Sequence, residues 1–514
     1  MANKFMTGLQ NATNFTYTEN GALTHKTTGN NLLDMFSLGA AMRNRSDEDC
    51  ILMFQKAFAE NPVYALKCLF YLRDVRGGQG ERRFFRVVVK DMATHKDTRE
   101  AIERNIHLVP VYGRWDDLYA FVDTPLEKAA FDILYHQLAL DVQCKTPSLL
   151  AKWLKSENTS SYKSRTLATK TRVHFGMTSK QYRKTLSTLR ERINVLERLM
   201  SAGKWDEIEF DKIPSRAGLI YKNAFARHDI ERMAADKDAV SYADFAKSED
   251  TKVNARALYP YECVAEALKC FRTGMYCSAK LPAMDDTNRL MVNKYWDNLA
   301  DYFNGATFDG IAVVDTSGSM VNSSASAPIN VAISLGLYCA EKAKGPFAGH
   351  YISFASRPQL IATEGVDFVD KVYRIYKTNL VDNTNIEATF DLILNTAIQN
   401  GCSQEDLPKN VIVISDMEFD SARGCGYWHR STTDDKRTLM EGIRKKWEAH
   451  GYRMPTLTFW NVDARQNNIP MKAEAGINFV SGMSPVIFEQ IMKSKDAYSL
   501  MMDKLDSERY AAVQ

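Results

Sequence analysis

From about residue 30 to residue 300, apolar side chains recur at spacings of three and four with few alternating runs, the periodicity of helices that turn one face inward. The clearest case spans 178 to 200. There Tyr182, Leu186, Leu189, Ile193, Leu196 and Met200 form one stripe behind Thr178-Ser179-Lys180-Gln181, which fits a capping box. The same periodicity predicts helices over roughly 47–72, 80–93, 98–109, 125–143, 259–273 and 285–303, separated by short turns containing Gly, Pro or Asn. Many helices joined by short turns predict stacked helical pairs, an all-α HEAT-like repeat or ring, although no repeat of fixed period is legible. Residues 156–170 and 234–256 are polar and read as loops or weak helices, and residues 1–25 as an N-terminal arm.

After Gly305 the grammar changes. Short runs rich in β-branched residues (FDGIAVVD, FAGHYISF, NVIVISD, MPTLTFW, INFV) alternate with helical segments at 328–344, 384–399, 434–450 and 485–504. That alternation predicts an α/β doubly wound, Rossmann-like sheet with mostly parallel strands, whose ligands sit at the carboxyl ends of the strands. The expected division is therefore an arm over 1–25, a helical domain over 26–304 and an α/β domain over 305–514.

Composition adds boundaries to this picture. With 45% hydrophobic and 25% charged residues the chain has the balance of a soluble globular protein. No stretch approaches 18 uninterrupted apolar residues, and the opening MANKFMTGLQNATNFTYTEN lacks a signal-peptide core, so the expectation is a cytoplasmic protein without a membrane partner. The nine cysteines are scattered without a CxxC pair, which suits reduced thiols. Cys263, Cys270 and Cys277 recur every seven residues and read as packing on one helix face, since no His or carboxylate stands at ligand spacing beside them.

The net charge of +3 divides unevenly. Residues 1–300 hold 45 Lys and Arg against 37 Asp and Glu, and the remainder holds 21 against 26. Residues 151–200 alone carry 12 basic and 3 acidic side chains. Lys152, Lys155, Lys163, Arg165, Lys170, Arg172, Lys180, Arg183 and Lys184 interleave there with Trp153, Tyr162, Phe175 and Tyr182, a combination suited to phosphates and stacked bases. The competing reading is a solvated helix face with some of the aromatics in the core.

Other features carry less chemistry. Gly77-Gly78-Gln79-Gly80, flanked by Arg73, Arg76, Arg82, Arg83 and Arg86, could meet a phosphate at a helix start, but it lacks the Gly-Lys-Ser/Thr ending of a P-loop and reads first as an interhelical turn. Arg227-His228-Asp229 is a tempting triplet, yet adjacent helical residues point in different directions, so structural hydrogen bonding is expected. No enzyme is expected.

The sharpest motif is Asp315-Thr316-Ser317-Gly318-Ser319, directly after the strand Ile311–Val314. It places one carboxylate and two hydroxyls where they can converge, and hard oxygen ligands in small number suit Mg²⁺ or Mn²⁺. An ordinary capped strand-to-helix turn is the alternative.

Asp-x-Ser-x-Ser in this position resembles the metal-ion-dependent adhesion motif of von Willebrand A domains. Asn383-Thr384-Asn385-Ile386 resembles that family's threonine loop, and Val413-Ile414-Ser415-Asp416 its second aspartate. The resemblance implies that Asp315, Ser317, Ser319, Thr384 and Asp416 share one cation, with an open position for a carboxylate or phosphate oxygen. Met417 departs from the pattern, because many such domains place glycine there.

A helical repeat followed by such a domain is the layout of the Ro-type (TROVE) RNA-binding proteins, and of a related family not functionally characterised. The carrying segments are Arg73 to Arg82, Tyr112 to Leu118, Ala151 to Leu154, Arg227 to Asp229, and Lys252 to Ala255 with Leu258 to Glu262. The resemblance implies RNA, single-stranded or structured, as partner and a monomeric chain. Two alternatives stay open: a metal-dependent adhesion scaffold that takes an acidic side chain from a protein partner, and a metal-dependent nuclease.

Overall fold

A computed structural model describes residues 13–235, 240–269, 284–321, 328–355, 357–378, 385–420 and 438–514. A mostly helical N-terminal part is followed by a mixed α/β region. The compact units do not follow the expected boundary at 304/305. One joins Met1–Cys68 to Ala255–Glu508, and the other joins Leu69–Asn254 to Arg509–Gln514.

The first unit is built on a six-stranded sheet of β3 (Gly310–Asp315), β4 (His350–Phe354), β5 (Leu360–Ala362), β6 (Asn410–Ser415), β7 (Thr456–Asn461) and β8 (Ile477–Ser481), in the spatial order β5-β4-β3-β6-β7-β8. All pairings are parallel except β4 with β5 at one edge. From β3 the chain goes first to one side and then to the other, so the strand order reverses between β3 and β6. That reversal opens a crevice at the strands' carboxyl ends.

Every residue of β3 is buried, which explains why GIAVVD is a continuous apolar run rather than an alternating one. The helix Pro328–Lys342 packs on β3 and is buried from Pro328 to Ala340. Asn31–Leu38 and Pro260–Leu268, read from sequence only as members of a helical half, belong to this unit. The first lies against β8, and the second against the Pro328–Lys342 helix.

The described part of the arm is a hairpin of β1 (Phe15–Tyr17) and β2 (Leu23–His25). It is tied down rather than loose, because His25 pairs through backbone with Ile469 and Gly21 bridges Asp420. The buried His25 ring also contacts Glu441 at 3.3 Å.

The second unit is helical. Thr178 caps the helix Ser179–Arg192 with the reciprocal Gln181 bond of a capping box, as its sequence predicts. Tyr182, Leu186 and Leu189 are buried, but the stripe is split at Asn194, whose φ of +47° is left-handed, and a second short helix carries Leu196 and Leu199. The segment expected as loops or weak helices contains the helix Tyr162–His174, started by the Ser161 side chain on the Ser164 amide. Propensity and polarity underestimated it because the cap and packing decide. The last residues return to this unit: Tyr510 donates its hydroxyl to Asp74 at 3.0 Å and stacks on Tyr112, and the Gln514 amide donates to Asn105.

Candidate functional site

The rim of the sheet gathers four of the five predicted cation ligands. Parallel register sets Val314 opposite Ile414, so the residues that follow, Asp315 and then Ser415-Asp416, emerge side by side at the reversal of strand order. The Asp315 carboxylate accepts from the Ser317 amide at 2.9 Å and from the Ser415 hydroxyl at 2.5 Å. The Ser317 and Ser319 hydroxyls lie 3.0 Å apart. Thr384 lies outside the described residues; Asn385, directly after it, caps the helix Ile386–Gln399.

Met417 adopts φ +64°, the left-handed conformation that glycine takes without steric cost. The departure seen in sequence therefore falls where the backbone favours glycine. The turn keeps the shape glycine would give it, at roughly 1–2 kcal/mol of backbone strain, with the Met417 amide bonded to Ser415 Oγ.

Electrostatics of the rim follow from burial. Asp315 is fully buried, and that burial together with the neighbouring Asp416 pushes its carboxyl up. Burial, with Asp416 and Glu19 nearby, likewise raises Glu418 to about 7 against the opposing Glu19 amide bond. Asp463 is also raised, first by burial, despite its bond from Asn44. Arg465 brings a fixed positive charge, with Nη2 on Asp416 Oδ2 at 2.8 Å and Nη1 on Glu19 Oε2 at 2.6 Å.

Among the described residues no three His, Cys, Asp or Glu side chains cluster as metal ligands. The donor set at the rim is instead two carboxylates with hydroxyls, which suits a hard divalent cation that keeps several waters. Ser415, Glu418, Arg465 and Glu19 were not anticipated. Ser415 sits inside a quoted motif, but the other three meet only through folding.

In the helical unit eight of the nine predicted basic residues fall into two groups. Lys155 approaches Asp116 at 3.8 Å, Arg165 holds the carbonyls of Thr159 and Ser160, Lys170 pairs with Asp123 and Glu127, and Arg172 pairs with Glu157. These serve the fold. Lys163, Lys180, Arg183 and Lys184 are exposed, the last three on one helix face at spacings of three and four.

Lys152 and Arg183 line a cavity of about 650 Å³, together with Tyr182, Arg190, Glu197 and Arg198. The aromatics divide between the two readings. Phe175 and Tyr182 are core residues and Trp153 lies under Arg114, whereas Tyr162 is 76% exposed.

The glycine-rich turn is interhelical. Arg73 and Arg86 both bind Asp117, Arg76 binds the Val111 carbonyl, and a Cβ on Gly78 would overlap the Tyr71 carbonyl. Asp229 accepts the Tyr242 amide while His228 stacks on Trp205 at 4.0 Å, the structural roles expected of that triplet. Cys263 is buried with its thiol pushed up, and Cys270 and Cys277 lie outside the described residues.

A helical part and an α/β part with an oxygen-rich rim define the architecture, and comparison places it. Residues 18–108 and 139–305 match the family described as Domain of unknown function (DUF2828), and residues 309–511 match Domain of unknown function (DUF7788). An uncharacterised protein of Acanthamoeba polyphaga mimivirus is 30% identical over 526 residues, covering 95% of this chain and 86% of the relative. The chain belongs to the DUF2828 family. The solved Ro (RSR) protein of Deinococcus radiodurans aligns over 94% of this chain and 100% of its own with 12% identity and a TM-score of 0.39, too remote a likeness to carry fold or function across. Among the described residues no helix is long and apolar enough to cross a membrane.

Proposed function

We propose that this chain is a non-enzymatic RNA-binding protein of Ro-like type. In this reading RNA lies on the basic face of the helical unit, and Mg²⁺ or Mn²⁺ is held in a von Willebrand A-type domain by Asp315, Ser317, Ser319, Thr384 and Asp416. The observation that carries the RNA reading is the cavity of about 650 Å³, in which Lys152, Arg183, Arg190 and Arg198 outnumber the carboxylates of Glu157 and Glu197. Glu157 is already paired with Arg172 at 2.8 Å, Lys152 meets Glu197 at 4.0 Å and Arg198 meets Glu191 at 3.2 Å, which leaves Arg183 and Arg190, the latter anchored on the carbonyls of Ala151 and Leu154, without a carboxylate partner among these pairs. Positive charge is therefore in excess where Arg183 continues outward to Lys180 and Lys184. Phosphates neutralise such a surface, releasing counterions as they bind.

The convergence of Asp315, Ser317, Ser319 and Asp416 supports the cation reading. A cation there supplies a point charge onto which a phosphate or carboxylate oxygen docks. Asp315 itself is held in place by the Ser317 amide and the Ser415 hydroxyl.

The test is a titration of labelled single-stranded RNA across a salt series. Combining Lys180→Glu, Arg183→Glu and Lys184→Glu should weaken binding at least about tenfold and flatten the slope of log affinity against log salt by about 2. Unchanged affinity would sink the RNA reading. Cation-dependent capture of an acidic protein that survives nuclease, with no RNA affinity, would replace it with the adhesion scaffold.

A further inference from the structure

The loop that carries Asp416 is gripped by the N-terminal hairpin. Thr18 donates its hydroxyl to the Phe419 carbonyl at 2.6 Å, the Glu19 amide donates to Glu418 Oε2 at 2.6 Å, the Asn20 side chain donates to the Glu418 carbonyl at 2.6 Å, and Gly21 bridges Asp420. The loop that follows β7, the strand next to β6, completes the contact. Its backbone is pinned where the Asp463 amide meets Asn461 Oδ1 and the Ala464 amide meets the Ala41 carbonyl, both at 3.0 Å, and it projects Arg465 between Asp416 and Glu19.

The two ends of this bridge differ in freedom. The Asp416 side chain is 1% exposed, whereas that of Arg465 is 29% exposed and that of Glu19 is 40% exposed. Asp416 cannot leave the rim to find another partner, but the guanidinium can swing toward solvent and keep Glu19 as its counter-charge. A cation entering beside Asp416 therefore competes with a charge the protein already supplies, and the outcome depends on how firmly Glu19 draws that charge aside.

We propose that Arg465 is a built-in competitor for the divalent cation at Asp416, and that Glu19 of the N-terminal hairpin sets the strength of the competition. This rests on the cation reading given above. The guanidinium neutralises Asp416 while the site is metal-free, and Glu19 shares it so that it does not close on Asp416 through both nitrogens. The two residues oppose each other, and linkage makes the effect reciprocal: an ion that displaces Arg465 strengthens its hold on Glu19, and with it the hairpin's hold on the rim.

The experiment measures Mg²⁺ and Mn²⁺ binding to the full chain by calorimetry, with thermal unfolding in EDTA alongside. Arg465→Met should tighten cation binding by about tenfold and lower the unfolding temperature in EDTA, because a charge-assisted bond is removed from the metal-free form alone. Glu19→Gln should do the reverse and weaken binding several-fold, since the guanidinium is then free to pair fully with Asp416. A merely structural role for either residue would move both affinities in the same direction. Absence of any binding by the wild-type chain overturns the cation reading and this inference with it. Binding by the wild type that Arg465→Met leaves unchanged or weakens overturns the inference alone. If Arg465→Met fails to fold, the sign of the Glu19→Gln change decides.

Discussion

Two groups of buried carboxylates in this protein are treated in opposite ways. In the helical unit Asp117 accepts from both Arg73 at 2.9 Å and Arg86 at 2.7 Å, Asp116 pairs with Arg86 at 2.9 Å, and Asp74 pairs with Arg509 at 2.7 Å. Burial would raise Asp74 and Asp116, yet Arg509 with neighbouring amides outweighs it at the first and Arg86 with Lys155 at the second. Both carboxyls are held below their usual range. At the sheet rim burial wins instead, and Asp315, Glu418 and Asp463 are all pushed up. Residue type and depth are similar, so the difference lies in the number of fixed cations supplied to each acid. A matched network is finished structure; on the cation reading proposed above, the under-compensated one is where an ion from solution would add the missing charge.

The strongest way to break this comparison is to remove one acid from each group. Asp117→Asn removes the counter-charge of the Arg73 guanidinium, which is 1% exposed, and leaves Arg86 with Asp116 alone, so it should cost about 3–5 kcal/mol in denaturant unfolding. Asp315→Asn keeps the shape and removes a carboxyl that burial already disfavours as an anion, so the metal-free stability should stay within about 1 kcal/mol of wild type. A loss as large as that of Asp117→Asn would show that the rim is a structural network after all.

The next effect is the ion itself. At a hundredfold excess over its Kd, Mg²⁺ or Mn²⁺ should stabilise the wild type by about 2.7 kcal/mol and Asp315→Asn not at all. Equal stabilisation of both would place the ion elsewhere.

The smallest effect sharpens the comparison from within the sheet unit, where Glu441 is matched like the acids of the helical unit. Burial alone would raise it, but the His25 contact, the Thr438 amide and Lys472 together hold it at about 2. A folded value below the unfolded one means its contribution is complete above about pH 4.5 and is lost as the pH falls toward 2. Urea unfolding at about pH 5 and about pH 3 should show a steeper loss for wild type than for Glu441→Gln. Identical slopes would remove Glu441 from the matched class.

Much of the rim was legible because its elements obey local rules. A fully buried parallel strand has to be a run such as IAVV, and oxygen-bearing residues directly after two such strands have to emerge at the same end. Glu19, Glu418 and Arg465 were not legible, since residues 399 and 446 positions apart are joined here by single contacts whose sequence context is unremarkable. The basic segment misled in part. Charge at 151–200 can be counted, but whether Lys170 faces phosphate or Glu127, and whether Tyr182 stacks on a base or packs tilted against Phe175, depends on which helices lie against it.

By itself the sequence determined where most of the helices and core strands form, that Thr178 caps one of them, and that Asp315 and Asp416 follow core strands, because these are consequences of spacing, caps and burial within a few residues. Tertiary structure alone decided membership and pairing. It placed Asn31–Leu38 and Pro260–Leu268 with the sheet, returned Arg509–Gln514 to the helical unit, and matched Asp74 and Asp116 while leaving Asp315, Glu418 and Asp463 at the sheet rim short of positive charge. The physical reason is that an apolar stripe specifies how much surface must be buried but not against what, and a carboxylate's charge is set by its neighbours in space.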